Sequence, residues 1–552
     1  MSKQHLFLAA FLLLLLQLPP TSPSPCQIFH RSICMKQDSF VPGHSFIGEG
    51  VDITSLERKG AYVVDTSRWQ GPNGTCILCR NPLMKGKLQK LPLAGVDWRV
   101  LHTCHQDVSS SIENLDVDVA NSMAKEVKND WKAELGFGTV LSKAGLELPK
   151  MRVAFAGSHS RMAIYAHEKS HQDSHIFVRQ EVSCAYYRLR LRHRRSLLAS
   201  HFSRALASLP RRNNSEEYQH FINVYGTHYI SNVQVGGRLR HLLAVQTCKM
   251  ALWGITASSF ESCLGWEVSL GHKWLFGSAS LSSKCEDLRR TYTRGIFHDA
   301  YAKQRTEIVG GEKRAEILFS KPGEAQNFSA WMESAKTKPG LVSYSLLPLH
   351  TLLNQRDPRR DLLKQSIVNY INQRALKRNC SQPCPRWSSQ SSDEECTCRC
   401  HHGSFHSSMC CAWERGRAHL KFIVHRGYNL RGNWLGITDG YVKIFFHGQE
   451  RRTIVIPHNN NPWWTEPIDF GAVTLSGHDV FEIQLWNKNL WGDRILGHCG
   501  HSLQAGAGTV WHKCPATHGH FDYYYTLVCG HTLSGPSCHN YVPLRLPTSY
   551  FN

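Results

Sequence analysis

Two tracts of the chain alternate hydrophobic and polar residues over the length of a long β-strand. In WKAELGFGTVL, one face of such a strand would carry Trp131, Ala133, Leu135, Phe137 and Leu141. In WEVSLGHKWLF, the corresponding face would carry Trp266, Val268, Leu270, Trp274 and Phe276. A period of two predicts strands, and each tract reaches the roughly 9–11 residues of a tilted membrane-crossing strand. The alternative, which alternation alone favours, is a strand of a soluble sheet with one face in water.

Mostly polar segments follow both tracts. Residues 158–175 and residues 284–308 are rich in charged and polar side chains and are predicted to be helical. Polar helices beside strands of membrane length indicate regions that can adopt two structures.

The two ends of the chain have different patterns. The chain opens with MSKQHLFLAAFLLLLLQLPP, and we expect residues 1–25 to be a cleaved secretory signal. No later stretch reaches the roughly 18 apolar residues of a spanning helix. From Leu420 onward, short alternating strands such as YVKIFFHG and FEIQLWN are separated by turns. This spacing predicts a β-sandwich of about a hundred residues.

The cysteine content changes the picture of the segment before the sandwich. The chain contains 20 cysteines, which in an exported protein favours disulfides. Seven of them lie in residues 380–411, a segment too short to build a sufficient core without bridges. The alternative is a zinc site formed by Cys398, Cys400, His401 and His402. Export also agrees with the Asn-x-Ser/Thr glycosylation sequences at Asn73, Asn213, Asn327 and Asn379.

The charge narrows the class of partner. The net charge is +21, and eight arginines with no acidic residue lie between Tyr187 and Arg212. A basic secreted protein can bind nucleic acid, heparin-like polymers or anionic membrane. We expect a lipid membrane and no nucleic acid, and the arginine-rich stretch is equally well explained as a solvated loop.

The segment YGTHYISNVQVGG, residues 225–237, carries a specific signature. An aromatic residue is followed by Gly-Thr-His, a second aromatic residue, six further residues and a glycine pair. The signature residues are Tyr225, Gly226, Thr227, His228, Tyr229, Gly236 and Gly237. This pattern resembles the membrane-attack-complex/perforin family, as does the order of a central domain, a short cysteine-rich EGF-like module and a C2-like sandwich.

The resemblance implies an α+β fold. It consists of a bent, twisted antiparallel sheet with two flanking helical clusters, a disulfide-rich EGF-like module and a C2-like β-sandwich. The boundaries implied are a signal at 1–25, the pore-forming domain at 26–378, the EGF-like module at 379–412, the C2-like domain at 413–510 and a disulfide-linked tail at 511–552. In this family each helical cluster unfurls into two membrane-crossing strands, and the two alternating tracts lie where such clusters are required.

The implied function is that of a secreted cytolytic protein without a catalytic site. It would be stored in cytolytic granules, dock on a target membrane through its C2-like domain, form a homo-oligomer and insert a β-barrel pore. Closing the barrel leaves no unpaired strand edge in hydrocarbon. Gly236, Gly237, Gly310 and Gly311 suit a hinge because glycine tolerates backbone angles that other residues resist. His228 is then a structural residue beside moving parts.

The resemblance also implies a disulfide pattern. The implied pairs are Cys26 with Cys79, Cys34 with Cys76, Cys104 with Cys184, Cys248 with Cys411, Cys380 with Cys396, Cys384 with Cys398, Cys400 with Cys410, Cys499 with Cys514, and Cys529 with Cys538. Whether Cys263 and Cys285 pair is left open.

A competing motif is HEKSH, which spans residues 167–171. His167 and His171 are one helical turn apart and could bind zinc, with Glu168 as general base. A zinc peptidase is therefore a distant alternative, although the longer metzincin form of the motif fails at Ser174 and Phe177.

The C2-like loops depart from the pattern of the family. The resemblance implies Ca²⁺ held by aspartates of these loops, but the ligand positions carry Asn433, Asp439, Asn487 and Asn489, and Arg494 replaces the last aspartate beside Asp493. Because calcium affinity falls as carboxylates are removed, we expect the calcium site to be weakened or lost.

The same loops keep bulky apolar residues, which we expect to dock on the membrane: Leu430, Trp434, Trp463, Leu490 and Trp491. Trp464 and Trp486 are expected in the core. The degraded calcium loops leave a second interpretation open, a non-lytic relative that binds membranes and has lost triggered insertion.

Overall fold

The computed structural model describes most of the chain after the N-terminal apolar run. The described residues are 25–101, 107–136, 151–192, 197–212, 214–252, 304–312, 325–380, 388–390, 398–400, 407, 410–434, 436–506 and 510–543. Within these ranges, no helix combines the length and hydropathy needed to cross a membrane.

Several sequence predictions fall on residues outside the described ranges. They are the signal segment and the whole second alternating tract, together with Phe137, Leu141, Cys104, Asn213, Cys263, Cys285, Cys384, Cys396, His401 and His402.

The strands of the first domain begin near the N-terminus and end before the cysteine-rich segment. They are β1 (Cys26–Phe29), β2 (Glu49–Asp52), β3 (Glu57–Tyr62), β4 (Cys76–Asn81), β5 (Lys87–Leu91), β6 (Gly95–Val100), β7 (Asp107–Glu113), β8 (Met151–Ala154), β9 (His175–Leu191), β10 (His228–Gln246), β11 (Gln304–Val309), β12 (Gly340–Pro348) and β13 (Leu376–Asn379).

Helices lie between these strands. They are α1 (Arg31–Cys34), α2 (Asp116–Met123), α3 (Arg161–Gln172), α4 (Ser200–Ser208), α5 (Ser215–Tyr225), α6 (Thr247–Ala251), α7 (Ala325–Thr337) and α8 (Arg359–Gln373), with 3-10 turns at Pro82–Met84, Ala124–Glu126 and Leu349–Leu352.

An eight-stranded antiparallel sheet forms the centre of this domain. Its order is β3-β2-β10-β9-β6, with β7 paired to β9 and both β11 and β12 paired to β10. The long strands β9 and β10 run side by side, and their register shifts between Val235 and Gly236. A bulge at this place bends the strands, as the resemblance predicted for the sheet.

The helices bury aromatic residues against this sheet. Phe202 of α4, Tyr218 and Phe221 of α5, and Trp331 of α7 belong to one hydrophobic core with Tyr187 of β9. The core therefore lies between the sheet and the helices that follow its long strands in sequence.

The predicted strand at the first alternating tract is not present over residues 131–136, which form turns. Trp131 and Leu135 are buried, whereas Ala133 is exposed, so Ala133 does not share a face with the other two. The Leu135 N–H donates to the Lys132 carbonyl at 2.9 Å, a local bond that an extended strand cannot make. Burial of Trp131 and Leu135 in the domain core decides the conformation here.

The helix predictions for the two polar segments have different outcomes. Helix α3 lies within residues 158–175, so the helix predicted there is confirmed. The helix predicted through Ile308 is wrong at its end, because Gln304–Val309 forms strand β11. Pairing of β11 with β10 supplies backbone hydrogen bonds and outweighs the polar composition of this segment.

The cysteine-rich module contains the paired strands β14 (Ser388–Gln390) and β15 (Cys398–Cys400). The C-terminal strands that follow it are β16 (Arg417–Tyr428), β17 (Gly440–Phe446), β18 (Gln449–Arg452), β19 (Ile468–Thr474), β20 (Val480–Asn487), β21 (Arg494–Ser502), β22 (Val510–Pro515), β23 (His520–Cys529), β24 (Leu533–Ser534) and β25 (Asn540–Tyr541).

The C-terminal domain is a β-sandwich, as the alternation predicted. One sheet has the order β19-β16-β23-β22 and the other β18-β17-β20-β21. The boundary predicted at residue 510 is too early, because β23 pairs with β16 from Ala418 to Tyr428 at the centre of its sheet. The sandwich therefore extends to Cys529, and Phe521, Tyr523 and Tyr525 of β23 contribute to its core.

Disulfides hold both ends of the chain. The structure joins Cys26 with Cys79, Cys34 with Cys76, Cys248 with Cys411, Cys400 with Cys410, Cys499 with Cys514, and Cys529 with Cys538. Each of these is a pair that the family resemblance implies. Cys184 and Cys380 are also disulfide-bonded, while the expected pair of Cys384 and Cys398 involves a residue outside the described ranges.

Candidate functional site

The signature segment connects the end of a helix to the central sheet. Helix α5 ends at Tyr225, and Gly226 follows with a φ of 84°. A Cβ at Gly226 would overlap the backbone of Val51 in β2, so only glycine fits this close approach. The Thr227 hydroxyl accepts from the Ile53 N–H at 3.1 Å and donates to the Val51 carbonyl at 3.2 Å. The signature thus joins β10 to the neighbouring strand β2.

His228 has a structural environment. Its side chain is fully buried, its Nδ1 lies 2.8 Å from the Thr227 hydroxyl, and its Nε2 lies 3.2 Å from the Trp131 carbonyl oxygen. Burial lowers the pKa of His228 from 6.5 to about 4, with the hydrogen bond to the Trp131 carbonyl opposing the shift. The neutral imidazole therefore connects the signature strand to residues 131–136.

This buried histidine predicts a loss of stability in acid. The unfolded chain binds the proton near pH 6.5 and the folded chain only near pH 4. The contribution of His228 is therefore complete above pH 6.5, and about 1.4 kcal/mol is lost for each unit of pH below it until about pH 4. Thermal melting at about pH 7.5 and pH 5.5 should show a smaller decrease for His228→Gln than for the unaltered protein.

Comparing His228→Gln with the unaltered protein separates the pH dependence due to His228 from that due to other buried histidines. Burial also lowers the pKa of His350 to about 4, but His350 is present in both proteins, so the difference between them reports on His228 and its interaction with His350. An equal decrease in melting temperature in the two proteins would contradict the prediction.

Five glycines meet where β10 changes its pairing partner. Strand β10 pairs with β12 up to Gly236 opposite Gly340, and with β11 from Arg238 opposite Val309. A Cβ at Gly236 would overlap the Cys184 carbonyl oxygen. Gly310 and Gly311 have φ values of 74° and 68°. We call Gly236, Gly237, Gly310, Gly311 and Gly340 the glycine corner.

Helix α7 packs on the glycine corner. The Trp331 indole N–H donates to the Gly310 carbonyl at 3.0 Å, and a Cβ at Gly237 would lie 3.1 Å from the Ala335 Cβ. The corner is therefore closely packed in this conformation, and any change in sheet curvature must alter its contacts with α7.

A buried network of charges lies beside the corner, and sequence reasoning missed it. The Arg238 guanidinium is 2.6 Å from Glu126, and Arg240 is 2.8 Å from Glu181 and 3.2 Å from Glu307. The side chains of Arg238 and Arg240 are only 5% and 3% exposed. In the sequence, the network is indicated only by two arginines at alternate positions of an apolar strand. Their acidic partners come from three distant segments.

The segment that follows α2 is held to the sheet by this network. Glu126 belongs to the turn Ala124–Glu126, directly after α2. Its other carboxylate oxygen accepts from the Tyr344 hydroxyl of β12 at 2.8 Å. The ion pairs therefore connect the first helical cluster to β10 and β12.

The C-terminal strand β25 contacts the residue that follows α3, next to the end of β10. The Tyr541 hydroxyl donates to Asp173, which follows α3, at 2.6 Å, and Gln246 at the end of β10 donates to the same oxygen at 2.9 Å. The disulfide between Cys248 and Cys411 joins α6 to the start of the sandwich domain. The C-terminal part of the chain is thus attached beside the start of β9 and the end of β10.

The HEKSH motif lies on helix α3. His167 and His171 face one another, with ring centroids 4.5 Å apart, while Glu168 is exposed. No group of three histidine, cysteine or acidic side chains suited to a metal occurs in the part of the chain that the structure describes. The arrangement gives no support to a zinc peptidase.

Three of the predicted docking side chains are fully presented to solvent. Trp434, Leu490 and Trp491 are 85%, 100% and 98% exposed. Trp434 lies between β16 and β17, and the other two lie between β20 and β21. We call these three residues the apolar tips.

The structure shows that the docking role predicted for Leu430 is wrong, whereas Trp463 is exposed and its docking role stays a prediction. Leu430 is buried, because its N–H bonds to the Asn460 carbonyl and its side chain closes the core of the sandwich. Trp463 is exposed but stands beside His425 of β16, with the ring centroids 5.7 Å apart. Trp464 is in the core, as predicted, whereas Trp486 is only half-buried under the Lys443 ammonium.

The predicted calcium positions are linked by hydrogen bonds. Asp439 accepts from the His458 N–H at 2.7 Å, and the Asn487 side-chain oxygen accepts from the Asp439 N–H at 2.7 Å. Asn487 also donates to the Asn489 side-chain oxygen at 2.7 Å. Asn433 accepts from the Ile437 N–H at 3.1 Å. An oxygen at each of the four positions therefore already accepts a hydrogen bond from the protein.

Asp493 is also engaged. It accepts from the Tyr441 hydroxyl at 2.6 Å and from the Asn489 N–H at 3.1 Å, and these bonds lower the pKa of its carboxyl. Arg494 next to it is exposed. Two carboxylates, each with protein donors, fall short of the several charged oxygens that Ca²⁺ takes in a strong site. The residues present do not fit such a site.

The predicted glycosylation positions differ in exposure. Asn73 is exposed in a turn, and Asn379 is half-buried at the end of β13. Asn327 lies in helix α7.

Comparisons with known proteins cover nearly the whole chain. The family model described as the MAC/Perforin domain matches residues 40–379, and the C2 domain model matches residues 418–515. The chain is 39% identical over 532 residues to Perforin-1 of Homo sapiens and 38% identical over 546 residues to Perforin-1 of Mus musculus. These alignments cover 94% and 97% of this chain, and 94% and 96% of the two relatives.

A more distant similarity covers part of the chain. This chain is 25% identical over 264 residues to the complement component C8 alpha chain of Oryctolagus cuniculus. The alignment covers 46% of this chain and 44% of that relative.

Proposed function

Because the chain belongs to the membrane-attack-complex/perforin family, we propose that it is a secreted pore-forming cytolytic protein which docks through its C2 domain. It is not an enzyme. Docked subunits then assemble with further copies of the same chain and insert a closed barrel of strands. The observation that carries the proposal is the trio of apolar tips, which project from one end of the C2 sandwich in a chain that also keeps the glycine corner.

The apolar tips explain docking without a strong calcium site. Tryptophan suits the membrane interface because its ring is apolar and its N–H is polar. The two tryptophans and Leu490 lie at one end of the sandwich and can enter the headgroup region together. The net charge of +21 adds attraction to anionic lipid.

The fold supports insertion by the helical clusters. Helices α2 and α3 lie between strands β7 and β9 and have 8 and 12 residues, which is too short for a membrane-crossing helix. They must therefore change structure to cross a bilayer, since hydrocarbon requires every backbone group to be paired. The glycine corner includes Gly236 and Gly237 of β10, the strand that leads into the second cluster, so a change in sheet curvature would act there.

We predict that membrane docking does not require calcium. Replacing calcium with a chelator should change liposome binding and dye release by less than about twofold, because two carboxylates are too few charged oxygens for a strong calcium site. The measurement is co-flotation with liposomes and release of a trapped dye, each with calcium and with chelator.

A matched variant checks this interpretation of the loops. Asn487→Asp, Asn489→Asp and Arg494→Asp together restore acidic ligand positions and should make binding calcium-dependent. Release by the unaltered protein only with calcium would show that the present loops still hold the ion. Binding without release under either condition would favour the non-lytic alternative.

Storage in cytolytic granules belongs to this proposal. A protein that assembles on membranes without calcium control needs another restraint before release. That requirement makes any internal lock on the helical clusters functionally important.

A further inference from the structure

Helix α3 places two imidazoles side by side on its surface. His167 Nε2 and His171 Nε2 are 3.1 Å apart. They are four residues apart, so one turn of helix brings them together. Neither residue has a role in the proposed docking or in the glycine corner.

The spacing of the two nitrogens matches a zinc site. Zinc binds imidazole nitrogen at about 2.0–2.1 Å with tetrahedral geometry, which places two nitrogen ligands about 3.3 Å apart. The observed 3.1 Å between the Nε2 atoms, at which the two rings form a hydrogen bond, is close to this value. Zinc would replace the hydrogen bond between the two rings and the proton that it holds, so that both nitrogen atoms bind one ion.

A buried carboxylate orients the first imidazole. Asp116 of α2 lies 2.7 Å from His167 Nδ1 and also accepts from the Arg378 guanidinium at 3.1 Å. An ionised carboxylate only accepts hydrogen bonds, so His167 Nδ1 carries the proton and Nε2 presents its lone pair. Metal-binding histidines commonly donate their second nitrogen to a carboxylate in this way.

We propose that His167 and His171 bind a zinc ion through their Nε2 atoms, with water completing the coordination, and that the bound ion holds α3 in its helical form. The inference rests on the proposed function, because it gives α3 a restraint on the helix-to-strand change that insertion requires. Imidazole ligands favour Zn²⁺ over Mg²⁺ and Ca²⁺, which prefer oxygen.

The restraint follows from geometry. In a helix, residues four apart lie about 6 Å from each other, whereas in a strand they are separated by about 13 Å. The two imidazoles can therefore share an ion only while α3 is helical. A ligand that binds only one of two states shifts the equilibrium towards that state by about the ratio of its free concentration to its dissociation constant. Zinc at a hundred times its dissociation constant therefore favours the helix by about a hundredfold.

The first test measures zinc binding without reference to activity. The full chain, purified without a histidine tag, is titrated calorimetrically with zinc chloride. His171→Gln removes one ligand on the exposed face of α3, and we expect its affinity for zinc to fall at least about tenfold. His220→Gln, an exposed histidine of α5, serves as the matched control and should bind zinc like the unaltered protein.

The matched control is needed because the chain has 32 histidines. Only the difference in zinc affinity between His171→Gln and His220→Gln therefore reports on the site on α3. Melting curves in chelator should coincide for all three proteins, and His167→Gln provides a second variant if His171→Gln melts early. Equal zinc affinity in all variants would overturn the proposed site.

The second test measures dye release from liposomes with zinc, with magnesium and with chelator. Zinc should slow release by the unaltered protein and by His220→Gln at least about tenfold, and leave His171→Gln unaffected. If zinc binds through His171 but does not slow release, the restraint is overturned. If no condition gives release while zinc still binds, the proposed pore formation is overturned and the metal site remains.

Discussion

Replacing Trp434 and Trp491 together by alanine should lower binding to liposomes by about a hundredfold. The two side chains are 85% and 98% exposed and have no packing role in the sandwich. Moving both rings into the membrane interface contributes about 3 kcal/mol, which corresponds to roughly a hundredfold in the binding constant. The measurement is co-flotation over a range of lipid concentrations.

The matched control is Trp511→Ala. Trp511 is 54% exposed but lies on strand β22 at the side of the sandwich, where its ring is tilted against that of Tyr524 with the centroids 4.7 Å apart. Its loss should leave binding within about twofold, since it does not project from the loop end. Unchanged binding by the double variant would show that docking uses another surface, and an equal loss in Trp511→Ala would point to a general effect of removing aromatic surface.

Gly310→Ala should destabilise the pore-forming domain by about 3–4 kcal/mol. A Cβ at this position would overlap the Gly236 carbonyl oxygen and lie 2.6 Å from the Gly340 nitrogen, and the φ of 74° is unfavourable for alanine. Three strands meet there, so the backbone cannot move aside without breaking their pairing. We expect a melting temperature lower by roughly 10 °C, measured by calorimetry.

Gly60→Ala measures the free-energy cost of a left-handed backbone conformation without the cost of a steric overlap. Gly60 has a φ of 66°, but a Cβ there meets no atom within 4 Å. Its substitution should cost only about 1 kcal/mol, the usual penalty of the left-handed conformation. Equal losses at Gly60 and Gly310 would mean that the close packing of the glycine corner contributes nothing to stability.

The local patterns of the sequence predicted much of the fold. The glycine pair of the signature predicted a hinge, and the register between β9 and β10 shifts at Gly236. The polar segment predicted helix α3, and the alternation after Leu420 predicted the sandwich. These predictions succeed because backbone freedom and the period of side-chain exposure are local properties.

Other features depended on contacts between distant residues. Trp131 and Leu135 alternate as if in a strand, yet burial beside His228 holds residues 131–136 in turns. Leu430 resembles a loop tip but closes the sandwich core. The partners of Arg238 and Arg240 come from three separate segments, and no local pattern identifies them.

The sequence by itself determined the family, the order of its domains and the residue types at the docking loops, because these are carried by motifs and periods along the chain. Only the tertiary structure decided which apolar loop residues face solvent, how the calcium positions are occupied and that His167 lies against Asp116. Exposure and proximity arise from packing between segments far apart in sequence. They are therefore fixed only when the whole chain is folded.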